Sequence, residues 1–135
     1  MDMPADKTST PLKKVLFEYP LNTTSVPMMW NAIATAPGLA AWFADNVDQK
    51  DKTFVFSWGK HECREAEMIN CRQNTYVRFR WKDGNPASYF ELRLAHNDLT
   101  GSYLLEVTDF AEPGEEEDVR SLWDSSIDSL HRCGL

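Results

Sequence analysis

The feature that most constrains the fold is a period-two alternation of apolar and polar side chains between residues 47 and 108. The alternation comes in short runs divided by turn-forming residues. Successive side chains of a β-strand point to opposite faces, and the pattern therefore predicts several short strands. The connections are too short for parallel crossovers, which indicates antiparallel pairing. The predicted strands cover residues 53–58, 64–71, 76–81, 88–94 and 102–108.

One face of this predicted sheet is aromatic and the other is polar. Phe54, Phe56 and Trp58 fall in phase along one strand, as do Val77, Phe79 and Trp81 along another. Arg78, Arg80 and Glu91 fall on the opposite face, where we expect a cross-strand ion pair rather than an acid–base pair. Between these strands, Asp83-Gly84 predicts a two-residue type I′ hairpin, since both residues tolerate positive φ.

A C-terminal helix is predicted to cover the aromatic face. Val119, Leu122, Trp123, Ile127 and Leu130 repeat at helical spacing, after acidic residues that suit a helix N-terminus.

At the other end of the chain, residues 13–21 alternate as a strand. The segment 22–25 offers capping oxygens to a helix beginning at Val26. Pro37-Gly38 is expected to end that helix, and residues 39–44 to begin a second short one. The fold class is therefore α+β, with a curved antiparallel sheet around a long C-terminal helix. A single domain is expected over residues 13–135, preceded by a frayed tail over residues 1–12.

The composition excludes several classes of partner. The formal net charge is −7, from 14 basic and 21 acidic residues, which disfavours nucleic acid. No run approaches the roughly 18 apolar residues of a membrane span, so we expect no membrane insertion. The polar N-terminus lacks an apolar signal core, and the odd count of 3 cysteines is no disulfide framework. We therefore expect a cytoplasmic protein with reduced thiols.

No motif in the chain carries recognisable chemistry. His61, His96 and His131 lack partners at catalytic spacing, and we expect all three to be solvated surface residues. Cys63 and Cys71 lack the spacing of a zinc site. Glycine-rich phosphate loops are absent. The sequence therefore predicts no catalytic residue, no metal site and no cofactor, and it favours a protein that is not an enzyme.

Five phrases resemble a known family: FEYPL at 17–21, MWNAI at 29–33, GLAAWF at 38–43, VRFRW at 77–81 and LEVTDF at 105–110. Together with the order of elements, they resemble the START-like superfamily, the helix-grip or birch-pollen-allergen fold. Within it, the chain is most similar to homologues of the heat-shock-protein ATPase activator. The resemblance implies a helix-grip architecture. It does not imply one function, because the family includes ligand carriers, aromatases and cyclases, and co-chaperone domains.

The resemblance also implies a pocket between the sheet and the C-terminal helix. The first hypothesis is non-enzymatic binding of a small apolar or amphipathic ligand there. The alternatives are a protein-interaction domain, like a co-chaperone, and an aromatase- or cyclase-like enzyme. A partner would thus be a small hydrophobic ligand or another protein. The predicted ligand-binding residues are Trp30, Trp42, Phe43, Phe56, Phe79, Phe90, Tyr103, Trp123 and Ile127.

Overall fold

The structure, a computed structural model, describes residues 12–135 of the chain. It contains seven strands and three helices within that range, in the predicted α+β order. The strands are β1 (Lys13–Pro20), β2 (Asn46–Lys50), β3 (Thr53–Trp58), β4 (Glu62–Arg72), β5 (Tyr76–Trp81), β6 (Phe90–His96) and β7 (Tyr103–Ala111). The helices are α1 (Val26–Ala34), α2 (Ala36–Ala40) and α3 (Glu116–Arg132).

The strands form one antiparallel sheet in the order β1-β7-β6-β5-β4-β3-β2. All consecutive strands from β2 to β7 are neighbours, and β1 closes the order by pairing with β7. Helix α3 lies on the concave face and buries Trp123, Ile127 and Leu130. The helix-grip prediction and the burial of Trp123 are confirmed.

The faces of the sheet follow the predicted alternation. Phe54, Phe56, Val77 and Phe79 have no exposed surface. On the opposite face, Glu91 accepts from Arg78 at 2.8 Å and from Arg93 at 3.1 Å. The predicted cross-strand ion pair is confirmed for Arg78. Flanking guanidinium groups cover Glu91, which explains why a carboxylate on the outer face is only 6% exposed.

The break between the short helices lies earlier than predicted. Helix α1 begins after Ser25, whose hydroxyl accepts from the Met28 N–H, and it ends at Ala34. Thr35 then caps α2 by accepting from the Gly38 N–H at 3.0 Å. Pro37 and Gly38 therefore lie inside the first turn of α2, because a proline there loses no helical hydrogen bond. The two predicted short helices are thus present, but the predicted break at these two residues and the predicted start of the second helix at residue 39 are wrong.

Two turns also differ from the sequence prediction. The predicted two-residue hairpin at Asp83-Gly84 is wrong, because residues 82–89 form a longer loop and Gly84 does not have a positive φ. The Asp83 carboxylate instead accepts two hydrogen bonds from Arg64. Strand β2 was not predicted as a separate strand, because the turn before β3 depends on Asp51 at a φ of 55° rather than on glycine.

Helix α3 is fastened to the first strand by polar contacts. The Tyr19 hydroxyl donates to Asp124 at 2.6 Å. The His131 Nε2 lies 2.8 Å from the Pro20 carbonyl oxygen. These contacts hold the helix along the concave face of the sheet.

The predicted frayed tail over residues 1–12 lies outside the described residues except for Leu12. Within residues 12–135, no helix is both long and apolar enough to cross a lipid bilayer.

Replacing Ile127 by alanine tests the sheet–helix contact. Ile127 is 2% exposed, and the truncation leaves a cavity in a packed interface. We expect the free energy of unfolding to fall by about 2–5 kcal/mol in denaturant melts. The control is Leu122→Ala on the same helix, at a residue that is 71% exposed. It should change stability by less than about 0.5 kcal/mol. Equal losses for the two variants would contradict this placement of α3.

Candidate functional site

The space between the curved sheet and α3 is called the grip. A cavity of about 310 Å³ opens at one end of the grip, between the strand ends and α3. The strands meet there because β3 and β5 end, and β4 and β6 begin, at the same end of the sheet. The lining residues are Phe43, Trp58, Glu62, Arg64, Trp81, Phe90, Asp109, Leu122, Trp123 and Ser126.

Five aromatic residues of this lining form a closed circuit, which we call the five-ring cluster: Phe43, Trp58, Trp81, Phe90 and Trp123. Each ring lies beside the next, with centroids 5.2 to 6.3 Å apart. Sheet, helix and the turn after α2 all contribute to it. Since rings from separate elements hold one another, the shape of the cavity is set by the tertiary fold rather than by one mobile loop.

Asp109 is a half-buried carboxylate on the cavity wall. Its Oδ2 accepts from the Trp123 Nε1–H at 2.8 Å, and its Oδ1 accepts from the Phe110 N–H at 2.8 Å. Burial raises the pKa of the Asp109 carboxyl, and these two hydrogen bonds offset only part of that effect. The cavity thus combines apolar walls with an acid that is poorly solvated.

Arg64 and Glu62 supply the other charges of the lining. The Arg64 guanidinium lies 4.0 Å from the centroid of the Trp81 ring. It also donates to both oxygens of Asp83, at 3.1 and 2.9 Å. The Arg64 hydrogen bond holds the pKa of the Asp83 carboxyl below its ordinary value. Arg64 is therefore fixed against Trp81 by the loop between β5 and β6.

A second, more open cleft of about 380 Å³ lies beside the first. Phe43, Trp58 and Ser126 line both spaces. The Trp58 Nε1–H donates to the Phe43 carbonyl oxygen at 3.0 Å, which fixes these two rings relative to each other. The second cleft is bordered mainly by alanines and serines, so it offers less aromatic surface to a ligand.

The structure brings together three of the nine predicted ligand-binding residues at the first cavity: Phe43, Phe90 and Trp123. The other six lie elsewhere. Phe56, Phe79 and Ile127 are at most 2% exposed, in the core between sheet and helix. Trp42 borders the second cleft, and its Nε1–H donates to the Ala32 carbonyl oxygen.

Trp30 and Tyr103 complete this set of six, and both pack against the edge of the core. Trp30 is half-buried on α1. Tyr103 begins β7, with its ring centroid 4.6 Å from that of His96, whereas Asp109 lies near the other end of the strand. Ligand binding by any of the nine residues stays a prediction.

Trp58, Trp81 and the charged residues of the lining were not predicted from the sequence as ligand-binding residues. Trp58 and Trp81 could have been found from the sequence, because each is the last in-phase ring of its strand. Asp109 could also have been found, since it follows Leu105 and Val107 on the inward face. Arg64 had none, because its place opposite Phe56 depends on the register of β3 with β4.

The histidines and cysteines, the other candidates for catalysis or metal binding, are dispersed over the structure. His61 and His96 are exposed as expected, but His131 is half-buried against Pro20, which corrects the expectation of a solvated side chain. Cys63, Cys71 and Cys133 are exposed, free thiols. Within residues 12–135, no three His, Cys, Asp or Glu side chains converge to hold a metal ion.

The raised pKa of Asp109 predicts a specific dependence of stability on pH. The folded protein binds this proton more tightly than the unfolded chain does. The resulting stabilisation is complete below the ordinary aspartate value of 3.8 and is lost as the pH rises through the raised pKa. In Asp109→Asn this loss disappears, so the free energy of unfolding should fall less with rising pH over that window.

Urea melts across the acidic to neutral range measure this difference. Asp128→Asn, on the exposed face of α3, is the matched control and should keep the wild-type profile. Parallel profiles for wild type and Asp109→Asn would mean that burial does not hold a proton on Asp109.

Comparison with known proteins places the fold. A model of the START-like superfamily domain matches residues 9–133. The solution structure of BfR322 from Bacteroides fragilis is 46% identical, with 92% of this chain and 93% of that chain covered and a TM-score of 0.65. None of the curated proteins matches the chain.

Two more distant structures share the fold alone. The Aha1 dimer from Colwellia psychrerythraea is 13% identical, with 87% of this chain and 92% of that chain covered and a TM-score of 0.72. DynU16, from the dynemicin biosynthetic locus, is 18% identical, with a TM-score of 0.72. There the alignment covers 90% of this chain and 47% of that chain. With a family match across nearly the whole sequence, the chain belongs to the START-like superfamily.

Proposed function

We propose that this protein binds a small apolar or amphipathic ligand, without transforming it, in the cavity at the open end of the grip. The observation that carries the proposal is the five-ring cluster around a space of about 310 Å³. Ligand sites of this size are concave, mostly apolar and provided with a few placed polar groups. The START-like family, in which ligand carriers occur, makes such a site the first function to test.

The proposed site lies at one end of the space between the sheet and α3, whereas the predicted site extended over Phe56, Phe79 and Ile127. Phe56, Phe79 and Ile127 fill that region, and an apolar ligand gains nothing where side chains already exclude water. At the open end, Leu122 is 71% exposed on the rim of the cavity. A ligand that covered Leu122 and the neighbouring rings would remove apolar surface from water, worth about 25 cal/mol per Å².

An aromatase- or cyclase-like activity is the second candidate, and one observation favours it. Asp109 combines a raised pKa with apolar surroundings, as a general acid or base requires. The other carboxylate of the lining, Glu62, is exposed and lacks such apolar surroundings. Binding without chemistry therefore remains the proposal, and a product formed from a bound ligand would replace it.

A protein-interaction role has less to support it. The large apolar residues that are exposed within residues 12–135, Leu16, Met28, Leu99 and Leu122, lie on four separate elements or turns. An interface of the usual kind needs a contiguous patch.

Three exposed free thiols suit a reducing compartment, and a cytoplasmic location is part of the proposal.

Filling the cavity should abolish binding. Ser126 lines the cavity from α3, and Ser126→Phe places a ring in the empty space. With 1-hexanol as the probe, we expect wild-type tryptophan emission to change, because three tryptophans line the cavity. Ser126→Phe should weaken the apparent Kd by about tenfold or more.

Ser121→Phe is the matched control, since Ser121 is exposed on the same helix and borders neither cleft. It should bind 1-hexanol like the wild type. A response that survives Ser126→Phe unchanged, or that Ser121→Phe removes equally, would overturn the proposed position of the site.

A further inference from the structure

Asp109 has no cationic partner of its own among residues 12–135. Its two oxygens accept only from the Trp123 Nε1–H and the Phe110 N–H, and no Lys, Arg or His of that range lies within salt-bridge distance. Arg64 acts on this carboxyl only from beyond salt-bridge distance. Its charge and the two hydrogen bonds offset only part of the cost of burial, so the pKa of Asp109 is raised. A positive charge that entered the cavity would supply the missing partner.

The five-ring cluster is itself suited to a cation. Aromatic faces carry partial negative charge and attract ammonium and guanidinium groups, tryptophan most strongly. Trp58, Trp81 and Trp123 all line the space. The Trp123 N–H donates to Asp109, and this hydrogen bond to an anion makes the indole ring richer in electrons. Arg64 already illustrates the attraction, because its guanidinium lies 4.0 Å from the Trp81 centroid.

The charges of the lining also favour a cation. Two carboxylates, Glu62 and Asp109, and one guanidinium, Arg64, face the cavity. The positive charge of Arg64 is compensated by Asp83, which it contacts through two hydrogen bonds. An incoming anion would therefore meet two acids and one cation, Arg64, that already forms an ion pair with Asp83. The formal net charge of −7 acts in the same direction at longer range.

We propose that the ligand carries a cationic amine or ammonium group, which packs against the partly exposed rings of Phe43, Trp58 and Trp81 and which Asp109 neutralises. The apolar part of the ligand then extends past Leu122 at the rim. This inference rests on the proposed function and adds the chemical class of the ligand to it. It separates one class, amphipathic organic cations, from fatty acids and from neutral apolar molecules.

Three probes with the same six-carbon chain test the inference: hexyltrimethylammonium, 1-hexanol and hexanoate. Tryptophan emission reports binding, and calorimetry confirms it. We expect hexyltrimethylammonium to bind about tenfold more tightly than 1-hexanol, which corresponds to about 1.4 kcal/mol. Hexanoate should bind more weakly than 1-hexanol.

Two variants show whether the preference comes from the cavity. Asp109→Asn should bring the cation and the alcohol to nearly equal affinity, so that the ratio of their two Kd values falls from about ten to about one. Glu62 is exposed, so Glu62→Gln should leave the fold intact. It should reduce the preference for the cation over the alcohol by a smaller factor than Asp109→Asn does. Asp128→Asn removes the same charge from the exposed face of α3 and should keep the full preference.

The outcomes separate this inference from the proposed function. If 1-hexanol binds but the ammonium probe has no advantage, the proposed function stands and the inference is wrong. The inference is also wrong if hexanoate binds most tightly, or if Asp128→Asn lowers the preference as much as Asp109→Asn. If none of the three probes binds, the proposed function fails and the inference fails with it.

Discussion

The packing of phenylalanine rings on the concave face of the sheet is the constraint on which the rest of the structure depends. Phe54, Phe56, Phe79 and Phe90 are at most 1% exposed, and they belong to the same hydrophobic core as Trp123 and Ile127 of α3. Their ring centroids lie 5.0 to 6.1 Å apart from strand to strand. Because these rings pack closely, the aromatic cavity lies where the helix and the sheet diverge, at the end of the grip.

The same rings that fill the core continue into the wall of the cavity. Phe90 belongs to both, since it stacks on Phe79 with centroids 5.1 Å apart and also lies beside Trp123. The cavity is therefore an extension of a rigid core rather than a separate loop structure. Its polarity arises where the inward face of β7 reaches the rim, because Asp109 follows Leu105 and Val107 on that face. The few polar groups are thus held by the sheet and by α3.

The fold was predictable because its signals are local. Alternation fixed the faces of β3 and β5, and helical spacing located the buried side of α3. The errors were confined to short connections. The loop at Asp83 depends on Arg64, which is distant in sequence. Thr35 caps α2 and so shifts the helix break that was expected at Pro37-Gly38. The site was less predictable. Inward-facing rings in the middle and at the ends of strands look alike in a sequence, but only the end ones border open space. The charged lining depends on strand register and on the position of α3, which the sequence pattern does not report.

The central claim is that the binding site lies within the five-ring cluster and not along the buried middle of the helix. The most direct measurement follows the five indole N–H signals of the protein by NMR during titration with 1-hexanol. Trp58, Trp81 and Trp123 line the cavity, whereas Trp30 and Trp42 do not, so the first three signals should move together and the other two should stay in place. Movement of Trp42 and Trp58 without Trp81 and Trp123 would place the ligand in the second cleft. Movement of Trp30 and Trp42 without the other three would contradict the account.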